Sequence, residues 1–168
     1  MSTNGKFETF VDQIASGDSF SDALQFTEKD LTNIAGMAAA LYKDGKVENA
    51  LRLLEGLRCL RPDKAEYWSA SGAALTRLER YEEALPILSV ALKMNAKDTA
   101  SLVNRGECYL AIAQNEKAAK DFETAIDLDP QEQDPAANRA RQLVFAMYTF
   151  FQVCNLEALD TAHVTDSK

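Results

Sequence analysis

Histidine and cysteine are nearly missing from this 168-residue chain: one histidine, His163 near the C-terminal end, and three widely separated cysteines, Cys59, Cys108 and Cys154. No C-x-x-C pair occurs, so a structural zinc site has no ligand set. The cysteines read as small hydrophobes of a reducing compartment, and His163 lies in a polar tail too remote to activate a thiol. No glycine-rich phosphate loop and no paired histidines are present, and the carboxylates are scattered as solvated helix faces are. Neither catalysis nor a cofactor or metal is expected. Positive charge is scarce as well: 18 Lys+Arg stand against 26 Asp+Glu, for a formal charge of -8. Without a basic run, nucleic-acid backbones and anionic membranes are poor partners. No apolar window approaches the roughly 18 residues of a membrane span. The opening MSTNGKFETF has no basic segment leading into an apolar stretch, so a cytoplasmic location is expected and direct membrane insertion is not. With 46% hydrophobic residues, the chain can build one ordinary domain or one short repeat array.

What is present is a period. In frames of 34 residues starting at Leu31, Ala65 and Thr99, the twentieth positions are Ala50, Ala84 and Ala118, and the twenty-fourth are Leu54, Leu88 and Phe122. The eighth positions are Ala38, Gly72 and Gly106, the eleventh Leu41, Leu75 and Tyr109. Small residues at eight and twenty let two antiparallel helices approach closely, and larger apolar residues at four, eleven and twenty-four fill the space between them and the next repeat. This pattern resembles the tetratricopeptide repeat, found three times without a gap. The expected fold is all-α: a three-repeat solenoid over residues 31–132 (31–64, 65–98 and 99–132). Its helix pairs are expected near 31–43 with 47–60, 65–77 with 81–94, and 99–111 with 115–128. Pro86 falls inside the fourth of these and is expected to bend it slightly.

The flanks complete the array. In the segment 1–30, Phe7, Phe10, Val11 and Ile14 recur at helical spacing with Gly17 following, which predicts a short amphipathic helix and a candidate dimerisation surface. Residues 133–160 read as a C-terminal capping helix with Ala140, Leu143 or Val144, Met147, Phe151 and Cys154 on one face, covering the last repeat. Phe145, Tyr148 and Phe150 exceed what one covered edge requires; the expectation is a deeply buried cap, and the alternative is a second contact with a dimer partner or a bound segment. Residues 161–168 are expected to be a disordered tail.

The concave face of such an array is lined by positions two, five, six, nine and twelve of each frame. The candidate peptide-binding groove is therefore Ala35, Ala39 and Tyr42 from the first repeat, Ser69, Ala73 and Thr76 from the second, and Val103, Asn104, Glu107 and Leu110 from the third. Glu66 and Glu107 should repel a carboxylate ligand, and the remaining lining is small and apolar, suited to an extended segment that inserts a few apolar side chains. The stretch from Phe10 to Ala125 further resembles the class II chaperones of type III secretion. The resemblance rests on Leu41-Tyr42-x-x-Gly45-Lys46-x-x-x-Ala50, on Leu57-x-Cys59-Leu60, on Gly72-Ala73 with Tyr81-x-x-Ala84, and on Glu107-Cys108-Tyr109-Leu110. It implies a bacterial cytoplasmic homodimer, paired through its N-terminal helix, that holds a hydrophobic secreted translocator as client. The alternative is a general bacterial adaptor of the same fold. Where that family tends to carry aromatics, this chain has Ala35 and Ala39, so a wider pocket is expected in the first repeat.

The frame makes Ala84 a contact point between paired helices. Ala84→Leu is expected to lower stability by about 1 to 3 kcal/mol, read as a fall in melting temperature; an unchanged value would mean that the frame is misplaced.

Overall fold

The computed structural model describes the backbone of residues 24–165 and the side chains of residues 24–152. Among these residues there are seven helices and no strand: α1 (Glu28–Lys43), α2 (Val47–Leu60), α3 (Ala65–Arg77), α4 (Tyr81–Met94), α5 (Thr99–Ala111), α6 (Asn115–Asp127) and α7 (Pro135–Thr165). The expected N-terminal helix carrying Phe7, Phe10, Val11 and Ile14 lies outside the described residues.

Local chemistry sets the boundaries. Thr27 accepts from the Asp30 backbone N–H while the Asp30 side chain accepts from the Thr27 backbone, a reciprocal cap that starts α1 three residues before the frame. Each first helix of a pair ends in the same way. The residue fifteen positions into the frame, Gly45, Glu79 or Ala113, adopts a positive φ between 59° and 80°. The N–H groups of Lys46, Arg80 and Gln114 then reach back to the carbonyls of Leu41, Leu75 and Tyr109 at 2.8 to 3.0 Å. Only the first of these turns uses the glycine that this conformation favours. Pro86 does not interrupt α4. Its missing N–H deprives the Glu82 carbonyl of a helical partner, but both residues are exposed, where water can serve.

Packing follows the chain. Each pair packs on itself, α2 meets α3, α4 meets α5 and α6 meets α7, while α3 also touches α5 and α5 touches α7 across the intervening helices. The first core cluster joins Leu31, Leu51, Leu57, Leu75, Leu88 and Cys108 among others. A second joins Leu102, Val103, Phe122, Ala125 and, from α7, Ala140. A bidentate ion pair ties the third repeat: Arg105 Nε and Nη2 donate to the two oxygens of the buried Asp121 at 2.8 and 2.7 Å. Asp129 and Asp134 shape the approach to α7. Asp129 accepts from the backbone of Gln133 and Asp134, and Asp134 accepts from Ala136 N–H and from the Thr99 hydroxyl.

Two expectations for the C-terminal region need correction. The helix does not end near residue 160; its backbone continues to Thr165, through Thr161–Thr165, which contains neither glycine nor proline to stop it. Nor is the cap deeply buried, and Phe151, expected on its covered face, is exposed with the three surplus aromatics. Ala137 and Ala140 are fully covered, and Leu143 and Met147 pack against the second cluster, but Phe145, Tyr148, Phe150 and Phe151 are 60% to 73% exposed. The array is short and the helix is long, so the covered face runs out at Met147.

Close approach at the pair crossings can be tested with glycine. A Cβ at Gly72 would lie 2.3 Å from Leu88 Cδ2, whereas at Gly56 nothing lies within 4 Å. Alanine is favoured over glycine inside a helix by about 1 kcal/mol, so Gly56→Ala is expected to raise the melting temperature and Gly72→Ala to lower it. Equal shifts at the two sites would show that the helix crossing yields freely.

A two-part groove lined by the first helices

The inner face carries two adjoining cavities. The first, about 360 Å³, lies between α1 and α3 and is lined by Ala35, Ala38, Ala39 and Tyr42, by Leu54 beneath, and by Glu66, Tyr67, Ala70 and Ala73 opposite. Its origin is simple. Five alanines stand where longer side chains would fill the gap between the two helices. The second, about 300 Å³, is polar and is lined by Tyr42, Ala73, Thr76, Arg77, Asn104, Glu107 and Arg139. Tyr42 and Ala73 belong to both, so the cavities form one groove that changes from apolar to charged along its length.

Each charged group has a local cause. Arg77, in the last turn of α3, donates through Nη1 to the Tyr42 carbonyl at 2.9 Å and stacks 4.8 Å over the Tyr42 ring, joining the first two repeats at the point where the cavities meet. Arg139, near the start of α7, reaches back and donates through Nη2 to Glu107 Oε2 at 2.6 Å. Glu107 Oε1 is buried and has no hydrogen-bond partner. Burial pushes the Glu107 carboxyl above its ordinary value of 4.5, against the pull of the Arg139 guanidinium. Thr76 turns its hydroxyl to the Gly72 carbonyl and lies 3.2 Å from the Cys108 sulfur, whose thiol is also raised by burial.

Of the ten residues that the frame assigns to the groove, Ala35, Ala39, Tyr42, Ala73, Thr76, Asn104 and Glu107 line one cavity or both. Three do not. Val103 is 1% exposed and shares the second core cluster with Ala140, because the capping helix closes over this side of α5. Leu110 packs against that same cluster. The Ser69 and Ser101 hydroxyls hydrogen-bond at 2.9 Å while Ser101 donates to Asp98 Oδ2, and Ser69 lines neither cavity. The frame also misses Arg77, one position beyond the last inward site of its repeat, and Arg139, which belongs to no repeat frame. Two guanidinium groups therefore accompany Glu66 and Glu107, and the groove is not uniformly repellent to carboxylates.

The half-buried carboxylate gives a pH prediction. A carboxyl whose folded pKa is raised costs stability when ionised; that cost is present at neutral pH and fades as pH falls through the folded value toward the unfolded one. Glu107→Gln keeps an acceptor for Arg139 and is expected to raise the melting temperature at neutral pH, with the difference closing below the ordinary glutamate range. A fall at neutral pH would show that the Arg139 pair outweighs burial.

Known proteins match this architecture. Tetratricopeptide-repeat family models match residues 36–99 and 99–132. A curated relative, Hsp70-Hsp90 organizing protein 1 of Glycine max, is 31% identical over 111 residues, which is 66% of this chain and 19% of that protein. The chain thus spans about a fifth of the length of the curated relatives it matches. Among solved structures, the type III secretion translocator chaperone SycD of Yersinia enterocolitica superposes with a TM-score of 0.67 at 19% identity, over 77% of this chain and 98% of that one. SycD has also been solved as an alternative dimer. PcrH, known from Pseudomonas aeruginosa and solved with the chaperone binding region of PopD, gives 0.67 at 24% identity over 73% of this chain and 94% of its own. The fold is shared with these chaperones. With abutting family matches over residues 36–132 and three helix pairs repeating every 34 residues, the chain belongs to the tetratricopeptide repeat family.

Proposed function

We propose that this protein is a cytoplasmic bacterial chaperone that holds an extended, partly apolar segment of a secreted translocator in its concave groove and works as a homodimer. The observation that carries this reading is the continuity of the two cavities through Tyr42 and Ala73. A groove of this form admits an extended chain, not a folded domain. Its alanine-walled half takes apolar anchors, while Thr76, Arg77 and Asn104 line the polar half, where a ligand main chain or polar side chain finds partners. The fold shared with the translocator chaperone SycD and with PcrH solved with the chaperone binding region of PopD supports the client class, and the SycD dimer supports self-association. Nothing in such a task requires bond chemistry, and the groove's job is to keep apolar segments from one another until export.

Affinity in this groove should rest on desolvating a few anchors. Phage-displayed peptides selected on the wild-type protein are expected to carry two or three spaced apolar residues. Binding of those peptides, measured by fluorescence anisotropy, should weaken at least tenfold, or about 1.4 kcal/mol, in Ala39→Asp and Ala73→Asp, with circular dichroism unchanged. It should also survive a rise to near-molar salt. Selection of acidic peptides whose binding collapses in salt and depends on Arg77 and Arg139 would replace this reading with a charge clamp.

A further inference from the structure

The groove is charged unevenly along its length. Glu66, in the first turn of α3, stands on the rim of the alanine-walled cavity, and Arg77, in the last turn of the same helix, lines the polar one. With Ala70 and Ala73 between them they follow at steps of four, three and four residues, which makes a single stripe along one face of α3. Both charged side chains are exposed, and among the described residues neither has an opposite charge within ion-pair distance. The other two charges of the groove cancel, since Arg139 is paired with Glu107 at 2.6 Å. A ligand therefore meets a negative charge at one end, a positive charge at the other and an apolar wall between.

The positive end is the better fixed. Arg77 Nη1 donates to the Tyr42 carbonyl at 2.9 Å and the guanidinium stacks 4.8 Å over the Tyr42 ring, an anchorage that uses one corner of the planar fork and holds the rest in place. Beyond Arg77 opens a further cavity of about 440 Å³, lined by Arg77, Leu78 and residues 45–49. Lys46 belongs to that lining and adds a second cation, while Glu48 in the same stretch lies 3.5 Å from Arg80. A chain leaving the polar half of the groove has room there and meets positive charge on the way.

We propose that the groove selects its client segment by charge order: a basic residue at Glu66, apolar anchors against the alanines, and an acidic residue at Arg77. This inference rests on the client-binding role proposed above and adds what the client segment must carry. Spacing follows from the helix. Arg77 lies eleven residues after Glu66, which is about three turns or 16 Å. About five residues of extended chain cover that distance at 3.3 Å each, enough for two apolar side chains on the inward side. An exposed ion pair adds little to affinity, whereas each desolvated anchor adds much. The charges therefore choose among apolar segments, chiefly by rejection: a carboxylate beside Glu66 or an ammonium beside Arg77 is repelled.

Peptides selected by phage display on the full wild-type chain test this. Their sequences are expected to place a basic and an acidic residue on opposite sides of the apolar anchors, about five residues apart. Replacing the acidic residue of such a peptide by its amide should weaken binding to wild type about threefold at low salt, measured by fluorescence anisotropy, and leave binding to Arg77→Gln unchanged. Replacing the basic residue by glutamine should weaken binding to wild type and to Arg77→Gln alike, but not to Glu66→Gln, which assigns each charge to its own end. Both effects should vanish in near-molar salt while the apolar share of the affinity remains. Circular dichroism checks the fold of the two variants, and the peptide substitutions read on wild type need no variant at all. Selected peptides without flanking charges, a wild type indifferent to their neutralisation, or losses that persist in the matching variant would overturn the proposal. The groove reading fails by a different result, binding that Ala39→Asp and Ala73→Asp leave intact.

Discussion

Everything in this array depends on how closely the two helices of each repeat can approach. Gly72 faces Leu88 and Gly106 faces the Phe122 ring at distances that leave no room for a Cβ. Ala50, Ala84 and Ala118 are fully buried at the matching places on the second helices. A larger residue at any of these positions would lever a pair apart, and each repeat stacks on the face its predecessor presents. The groove therefore inherits its shape from crossings on the far side of the helices that line it.

The same preference for small side chains has a second consequence on the inner face. Between α3 and α5, contacts are direct, and Ser69, Ser101 and Val103 are spent on packing. Between α1 and α3, alanines leave space that nothing in the chain fills. A cavity lined by small residues is a place where affinity comes from what the ligand brings, which suits recognition of apolar segments by spacing more than by detailed sequence. Next to it, the Arg77 stack on Tyr42 and the Arg139 pair with Glu107 turn the groove polar. The half-buried Glu107, with one oxygen unpartnered, is poorly placed for stability.

The capping helix serves two ends. Its first turns close the second core cluster and deliver Arg139 to the groove, so the groove lining includes a residue from outside the repeats. Its later turns carry an apolar stripe past the edge of the array. A cap needed only to cover one repeat could stop at Met147; Tyr148, Phe150 and Phe151 lie beyond the covered face and are exposed.

The amino-acid sequence by itself determined the helices, their pairing and the family. Those depend on short-range events, a 34-residue recurrence of small and large apolar residues and a turn closed by neighbouring carbonyls, and the ends of α2, α3, α4 and α5 stand where the frame puts them. It also marked Ala39, Tyr42 and Ala73 as inward-facing, since position within a repeat fixes which side of a first helix faces the concavity. Tertiary structure decided the rest. Val103 and Leu110 occupy inward positions but are covered, because α7 lies against the last first helix as a fourth repeat would. Arg77 and Arg139 reach the groove because long side chains reach across from neighbouring turns and neighbouring helices, which no single-repeat frame can register. Phe151 shares its stripe with Ala140, yet one is exposed and the other buried, since the period of a helix records which face is apolar and only the length of the array it packs on decides where that face runs out of partner.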